Sequence, residues 1–118
     1  MVVFFGERRA VGCDVKVRDT AKATADLLAP VPWLAVDGWR WDWGCWRPGS
    51  FHLAAALLYH CFRDHPQTVL MYAGELLQDV VAFLPRRYWV VKEDALLDWV
   101  GEHAVRLPDT PPWGRVSK

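Results

Sequence analysis

Apolar and polar positions near the start of the chain predict two strands. Residues 2–5 are apolar throughout, whereas residues 13–18 alternate strictly between apolar and polar side chains. Alternation places every second side chain on the same face, which is typical of a strand with one buried face. The buried face of the second run would hold Cys13, Val15 and Val17. We expect the two strands to pair as a hairpin, with residues 6–12 as a polar connection.

The pattern then becomes ambiguous. Asp19 or Thr20 is suited to cap a short helix that runs to Leu28, and Pro30 and Pro32 then stop regular structure.

A dense group of tryptophans follows. Asp37-Gly38 separates the strand-like residues 33–36 and 39–43. Asp-Gly between two such runs favours a tight hairpin turn, because both turn residues adopt positive φ. One face of the second run would consist entirely of tryptophan side chains: Trp39, Trp41 and Trp43. These rings either pack on the core or form a platform on which the bases of a single strand stack.

Helical spacing predicts an antiparallel pair of helices. After a loop at residues 44–50, Ser50 is the expected N-cap of a helix with an apolar stripe from Leu53 to Cys61. Pro66 suits the first position of the second helix. The apolar side of that helix continues through Phe83 and Leu84 until Pro85 ends it. The short connection favours antiparallel packing of the two helices.

The last third of the chain predicts a strand and a third helix. Residues 88–91 read as a strand, and Glu93 and Asp94 are acidic residues that suit the first turn of a helix. The expected architecture is α+β: a small antiparallel sheet packed against an antiparallel helix pair, plus a C-terminal helix. We expect residues 1–107 to form one domain and residues 108–118 to form a proline-rich tail.

Composition narrows the class of protein. The 118 residues are 53% hydrophobic, which is enough for a buried core, and 14 basic residues balance 14 acidic ones. A neutral chain has no general attraction for nucleic acid or anionic lipid. Its three cysteines have no CxxC spacing, which favours reduced thiols in the cytoplasm. No run approaches the length of a membrane span.

Residue spacing offers no clear catalytic or metal site. The four histidines lack ligand spacing, so we expect satisfied surface side chains rather than a metal set. His60 and Cys61 are neighbours in a helix and point about 100° apart, and the thiol lies on the apolar stripe. Glu75 and Asp79 share a helix face that we expect to be solvated. We therefore predict no catalytic residue, no metal and no cofactor.

Tryptophan and arginine supply the candidate binding residues. Trp46 and Arg47 lie in the loop before the first helix, where an exposed aromatic ring beside arginine resembles a binding hot spot. Trp46 either contacts a partner or forms a lid over the core. Arg47 could also help the helix N-terminus hold an anion, the alternative being ordinary capping by Ser50. The predicted partner-binding set is Trp46, Arg47, Arg40, Arg86 and Arg87.

Several of these segments together resemble an uncharacterised family, domain of unknown function 6166. Its pattern of an aromatic residue, an acid, Trp and Gly is matched by Trp41-Asp42-Trp43-Gly44, followed by a loop and the Leu/Ala-rich residues 53–58. The similarity covers roughly residues 4–100 and includes Phe83-Leu84-Pro85 and Trp99. It departs from the family pattern at residues 45–48, where the family loop is glycine-rich, and at His52, where glutamine is typical. The resemblance implies an origin in bacteria, phages or mobile elements.

These observations favour a non-enzymatic interaction protein that binds a protein partner. The resemblance adds that the partner could be host machinery, as for an anti-CRISPR-like inhibitor. The alternative is a nucleic-acid-binding module that uses Arg40, Arg47, Arg86 and Arg87 with nearby tryptophans. An enzyme of unrecognised type is a third hypothesis, and exposed aromatic patches also suit a homodimer.

Overall fold

A computed structural model describes residues 1–10, 12–22, 24–34 and 40–106. The described chain contains a four-stranded antiparallel sheet and three α-helices, which confirms the predicted α+β fold.

The sheet has the strand order β3-β2-β1-β4. The strands are β1 (Val2–Arg8), β2 (Cys13–Asp19), β3 (Asp26–Leu27) and β4 (Tyr88–Lys92). The predicted hairpin of β1 and β2 and the predicted strand at residues 88–91 are confirmed. However, β1 continues to Arg8 rather than ending at Phe5, because Glu7 and Arg8 pair with Asp14 and Cys13.

The short helix predicted from Asp19 or Thr20 to Leu28 is wrong. The Asp19 carboxylate accepts the N–H of Ala21 at 3.0 Å, and the Asp19 carbonyl accepts the N–H of Lys22 at 2.8 Å. These bonds form a turn in which the aspartate side chain replaces a backbone partner. The chain then returns along β2 as β3, and the N–H of Leu28 donates to the carbonyl of Val15 at 3.0 Å.

The hairpin turn predicted at Asp37-Gly38 falls outside the described residues, as does Trp39. Its second strand is wrong for residues 40–43, which form no strand. Instead, this segment crosses the first turn of a helix: a Cβ at Gly49 would come within 2.5 Å of the Arg40 carbonyl oxygen. Contact with that helix replaces strand pairing, and Trp43 inserts into the core.

The three helices are α1 (Pro48–Cys61), α2 (Pro66–Asp79) and α3 (Glu93–Arg106). Pro66 begins α2 and Glu93 begins α3, as predicted. Ser50 is not the N-cap of α1, because that helix begins two residues earlier and Arg47 occupies the cap position without a side-chain bond. Ser50 is buried inside the first turn, where its Oγ lies 3.3 Å from Cys45 Sγ.

The second helix is shorter than its apolar pattern predicts. It ends at Asp79, and residues Val81–Phe83 form a 3-10 turn. The tighter turn rotates successive side chains by a different angle, so the apolar stripe leaves the core face. Val81 is buried, but Phe83 is 72% exposed, and its predicted place in the core is wrong.

The core lies between one sheet face and the helix pair. Its sheet side contains Phe4 and Val15, and its helical side contains Leu53–Leu58 of α1 with Val69, Tyr72 and Leu76 of α2. All six residues at 53–58 are buried, because α1 packs against α2, the 3-10 turn and α3 and shares the core with Phe4 and Val15 of the sheet. Trp89 of β4 closes one end of the core by packing on Gly6, where any Cβ would overlap its indole.

Candidate interaction site

The loop between residues 44 and 47 is held at its base by Gly44. Its φ of 69° is a left-handed conformation that favours glycine, and its N–H donates to the carbonyl of Val81 at 2.9 Å. A Cβ here would lie 3.0 Å from both Arg86 Cγ and the Leu84 carbonyl oxygen. The loop is thereby fixed against the segment that precedes β4.

Trp43 anchors the same base from inside the core. Its side chain is fully buried, and its indole Nε1 donates to the carbonyl of Arg86 at 2.9 Å. It meets Trp89 edge to face with ring centroids 5.7 Å apart. Trp43 is therefore a structural residue, as the core alternative for the tryptophan face predicts, and Trp41 packs partly buried against the same core.

The side chain of Arg8 connects β1 to the loop and to the segment that precedes β4. Its guanidinium lies 5.0 Å from the Trp43 ring centroid and donates to Asp42 Oδ1 at 3.0 Å, and its Nε donates to the Arg86 carbonyl at 3.0 Å. Burial by itself would raise the pKa of Asp42, but hydrogen bonds from Arg8, the Trp43 N–H and the Cys45 thiol hold that pKa below its ordinary value. No local pattern identifies Arg8, because the partners of its side chain are 34 or more residues away along the chain.

Two aromatic rings project from this rigid base. Trp46 is 60% exposed and meets Phe83, which is 72% exposed, edge to face at 6.2 Å. Arg86 packs over Gly44 and donates to its carbonyl at 3.4 Å. We call Trp46, Phe83, Arg47 and Arg86 the aromatic loop face. Trp46 is too exposed to act as a lid over the core.

A polar cleft of about 600 Å³ opens on the other side of Arg47. Its lining includes Arg8, Arg40, Arg47 and His52 beside the first turn of α1. Arg8 is neutralised by Asp42, whereas neither Arg40 nor Arg47 has an ion pair within the described part of the chain. The cleft thus combines two exposed guanidinium groups with a helix N-terminus, which together attract anions.

The structure therefore separates the five predicted partner-binding residues into groups. Trp46 and Arg86 belong to the aromatic loop face, Arg40 lines the cleft, and Arg47 follows Trp46 in the chain and also lines the cleft. Arg87 is exposed at the start of β4, where its carbonyl accepts the N–H of Arg8 at 2.9 Å. Phe83 was missed, because helical periodicity assigned it to the core.

A second polar cluster joins α2 to α3. His103 is only 4% exposed, so its prediction as a surface histidine is wrong. Its Nε2 lies 3.3 Å from Glu75 and 3.2 Å from Asp79, and its Nδ1 donates to the Trp99 carbonyl at 3.0 Å. Its ring lies against that of Trp99 with centroids 3.8 Å apart and planes tilted by 34°, and Trp99 Nε1 donates to Asp79 at 3.3 Å. Both ring nitrogens are engaged, so the cluster acts as a clamp between the helices.

Cys61 and His60, two titratable residues of α1, line neither the polar cleft nor the aromatic loop face. Burial raises the pKa of the Cys61 thiol to about 12, which makes it a poor nucleophile, as its place on the apolar stripe predicts. Burial lowers the pKa of His60, whose ring meets Phe4 edge to face at 5.2 Å. No group of three metal-ligating side chains occurs among the described residues. None of the described helices is long and apolar enough to cross a membrane.

Comparisons of the chain with protein-family models, with curated proteins and with solved structures returned no match. The resemblance to domain of unknown function 6166 therefore stays a prediction.

Proposed function

We propose that this protein is a non-enzymatic interaction module that binds a partner protein through the aromatic loop face. The observation that carries the proposal is the pair of exposed rings, Trp46 and Phe83, in contact with each other on a rigid base. Exposed single apolar residues are ordinary, but two large aromatic rings in contact form a patch of the kind that marks binding sites.

The chemistry of the face suits a protein surface. Tryptophan and arginine are the residues most enriched in binding hot spots, and this face supplies Trp46 with Arg47 and Arg86 around it. The left-handed Gly44 and the buried Trp43 hold the loop in place before binding. A preordered loop loses little conformational entropy on association, which favours affinity.

The test is recovery of a partner by immobilised protein. We expect wild type to retain a specific protein that Trp46→Ala/Phe83→Ala loses, because truncation removes both rings. Leu70→Ala is the matched control, since Leu70 is an apolar side chain that is 69% exposed on α2. Equal recovery by all three proteins would contradict the proposal.

The class of partner follows from the predicted family. We propose that the partner is a component of host machinery, as for an anti-CRISPR-like inhibitor carried by a mobile element. Expression in a cell with an active CRISPR defence should restore plating of a targeted phage. Trp46→Ala/Phe83→Ala should not restore it, and Leu70→Ala should. Unchanged defence in the presence of the wild-type protein would reject this partner class while leaving the interaction face to the recovery test.

A nucleic-acid-binding module is the second candidate, and the polar cleft is the observation that favours it. Arg40 and Arg47 line the cleft beside the first turn of α1, and neither has an ion pair among the described residues, so the cleft is suited to phosphate. This candidate predicts binding of single-stranded or duplex probes that weakens steeply with salt. Arg40→Glu/Arg47→Glu should abolish the binding and Trp46→Ala/Phe83→Ala should leave most of it. Absence of binding at low salt would reject this candidate.

A further inference from the structure

The outer edge of β4 is the longer of the two open edges of the sheet. β4 has five residues, whereas β3 at the opposite edge has two. No described residue pairs with the outer side of β4. An open edge presents backbone donors and acceptors that can pair with another strand.

The hydrogen-bond register shows which residues face outwards. The N–H of Arg8 donates to the carbonyl of Arg87, so Trp89 and Val91 are the strand residues whose backbone bonds to β1. Antiparallel pairs alternate between bonded and non-bonded positions. Tyr88, Val90 and Lys92 therefore direct their N–H and carbonyl groups towards the open edge.

The side chains of the same three residues lie on the sheet face that the helices leave uncovered. Tyr88 and Val90 are each 52% exposed, whereas Trp89 between them is buried. Val90 pairs with Phe5, which pairs with Lys16, which pairs with Leu27. This row across the open face is apolar at Val90, Phe5 and Leu27 and is interrupted by Lys16, so Val90 and Phe5 form its apolar end beside the open edge.

We propose that this edge pairs with the same edge of a second copy of the chain, antiparallel and centred on Val90. That register brings all three outward-facing residues of each copy into the ladder, with Val90 opposite Val90 and Tyr88 opposite Lys92. A two-fold axis at Val90 makes the interface self-complementary, as a closed dimer requires. The two sheets then form one continuous sheet of eight strands.

Charge around the strand favours a second copy over an unrelated strand. Arg86 and Arg87 precede β4, and Glu93 and Asp94 follow it. Antiparallel self-pairing centred on Val90 places the arginine end of each β4 beside the acidic start of α3 in the other copy. Lys92 meets the ring of Tyr88, which is a favourable contact for a cation. No like charges lie directly opposite each other in this register.

The test is sedimentation velocity over a range of protein concentrations. We expect wild type to be a dimer and Val90→Pro to be a monomer, because proline removes the central outward N–H. An edge strand tolerates proline where that N–H faces solvent, so the monomer should stay folded by circular dichroism. Leu70→Lys, on an exposed site of α2, is the control that should stay dimeric. A monomeric wild type up to millimolar concentration would overturn the proposal.

Charge variants test the register itself. Tyr88→Lys places lysine opposite lysine, and Tyr88→Glu/Lys92→Glu places glutamate opposite glutamate, so each alone should dimerise about tenfold more weakly than wild type. Mixed together, the two variants should form a heterodimer, because each lysine then faces a glutamate. All altered side chains are exposed, so folding should be unaffected. Undiminished dimers of either variant, or no heterodimer in the mixture, would overturn the proposed pairing even if Val90→Pro fails to fold.

Discussion

Trp43 and Trp46 are three residues apart, yet Trp43 lies at the buried base of the loop and Trp46 at its exposed tip. Trp43 is fully buried, its Nε1 donates to a backbone carbonyl, and its ring packs on Trp89. Trp46 is 60% exposed and contacts the exposed ring of Phe83. The difference teaches that tryptophan content alone does not identify a binding surface. The two residues differ in whether the indole is buried and hydrogen-bonded within the core.

The same contrast holds for the arginines. Arg8 is tied to Asp42, to the Trp43 ring and to the Arg86 carbonyl, so it belongs to the base of the loop. Arg47 has no ion pair in the part of the chain that the structure describes. The base of the loop, which consists of Trp43, Gly44 and the Arg8 side chain that contacts Trp43, should therefore determine stability. The tip, which consists of Trp46 and Arg47, should determine binding.

Truncation of Trp43 should have the largest effect. Trp43→Ala leaves a cavity in the core and orphans the Arg86 carbonyl, so the free energy of unfolding should fall by about 3–5 kcal/mol. Urea unfolding measures the loss. Trp43→Phe keeps most of the ring volume and should lose less. A Trp43→Ala protein as stable as wild type would show that the base of the loop does not support the fold.

Removal of Arg8 should rank second. Arg8→Met keeps a long apolar stem but leaves the Asp42 carboxylate half-buried without its cation, so unfolding should become easier by about 2 kcal/mol. Arg8→Lys should rescue only part of the loss, because a single ammonium group cannot donate to Asp42 and the Arg86 carbonyl in the geometry of the guanidinium fork. Full rescue by lysine would reduce the role of Arg8 to charge alone.

The Asp42 carboxyl makes the base sensitive to acid. Its pKa in the folded protein is lower than the ordinary value of 3.8, so its contribution to stability is fully present above that value. The contribution should disappear as the pH falls from about 4 through the folded-state pKa. The difference in urea midpoint between wild type and Asp42→Asn should therefore shrink in this acidic window. A difference that stays constant with pH would contradict the ion pair.

Local pattern predicted most of the fold because most elements have local signals. The alternation from Cys13 to Arg18 and the prolines and acids at the starts of α2 and α3 all depend on near neighbours in sequence. Prediction failed where a distant contact decides the local structure. Residues 40–43 look like a strand, yet the first turn of α1 lies against them. Residues 26–27 likewise form a strand through pairing with Lys16 and Val17, on the side of β2 that β1 does not occupy.

The candidate site was predicted in part for the same reason. Trp46 and Arg47 were identifiable from local composition, because Gly44 breaks regular structure before them and Pro48 suits the first position of a helix after them. Phe83 continues the apolar period of α2, and only the 3-10 turn after Asp79 directs it outwards. His103 looks like an isolated histidine until α3 packs on α2 and brings Glu75 and Asp79 to its ring.

The smallest effect on stability should come from the tip of the loop. Trp46→Ala and Phe83→Ala each remove an exposed ring, so neither should change the free energy of unfolding by more than about 0.5 kcal/mol. The double variant should be nearly as stable as wild type while losing the partner, because these rings contribute to association rather than to the core. A loss above about 2 kcal/mol on Trp46→Ala would instead make Trp46 a structural residue like Trp43 and remove the distinction between base and tip.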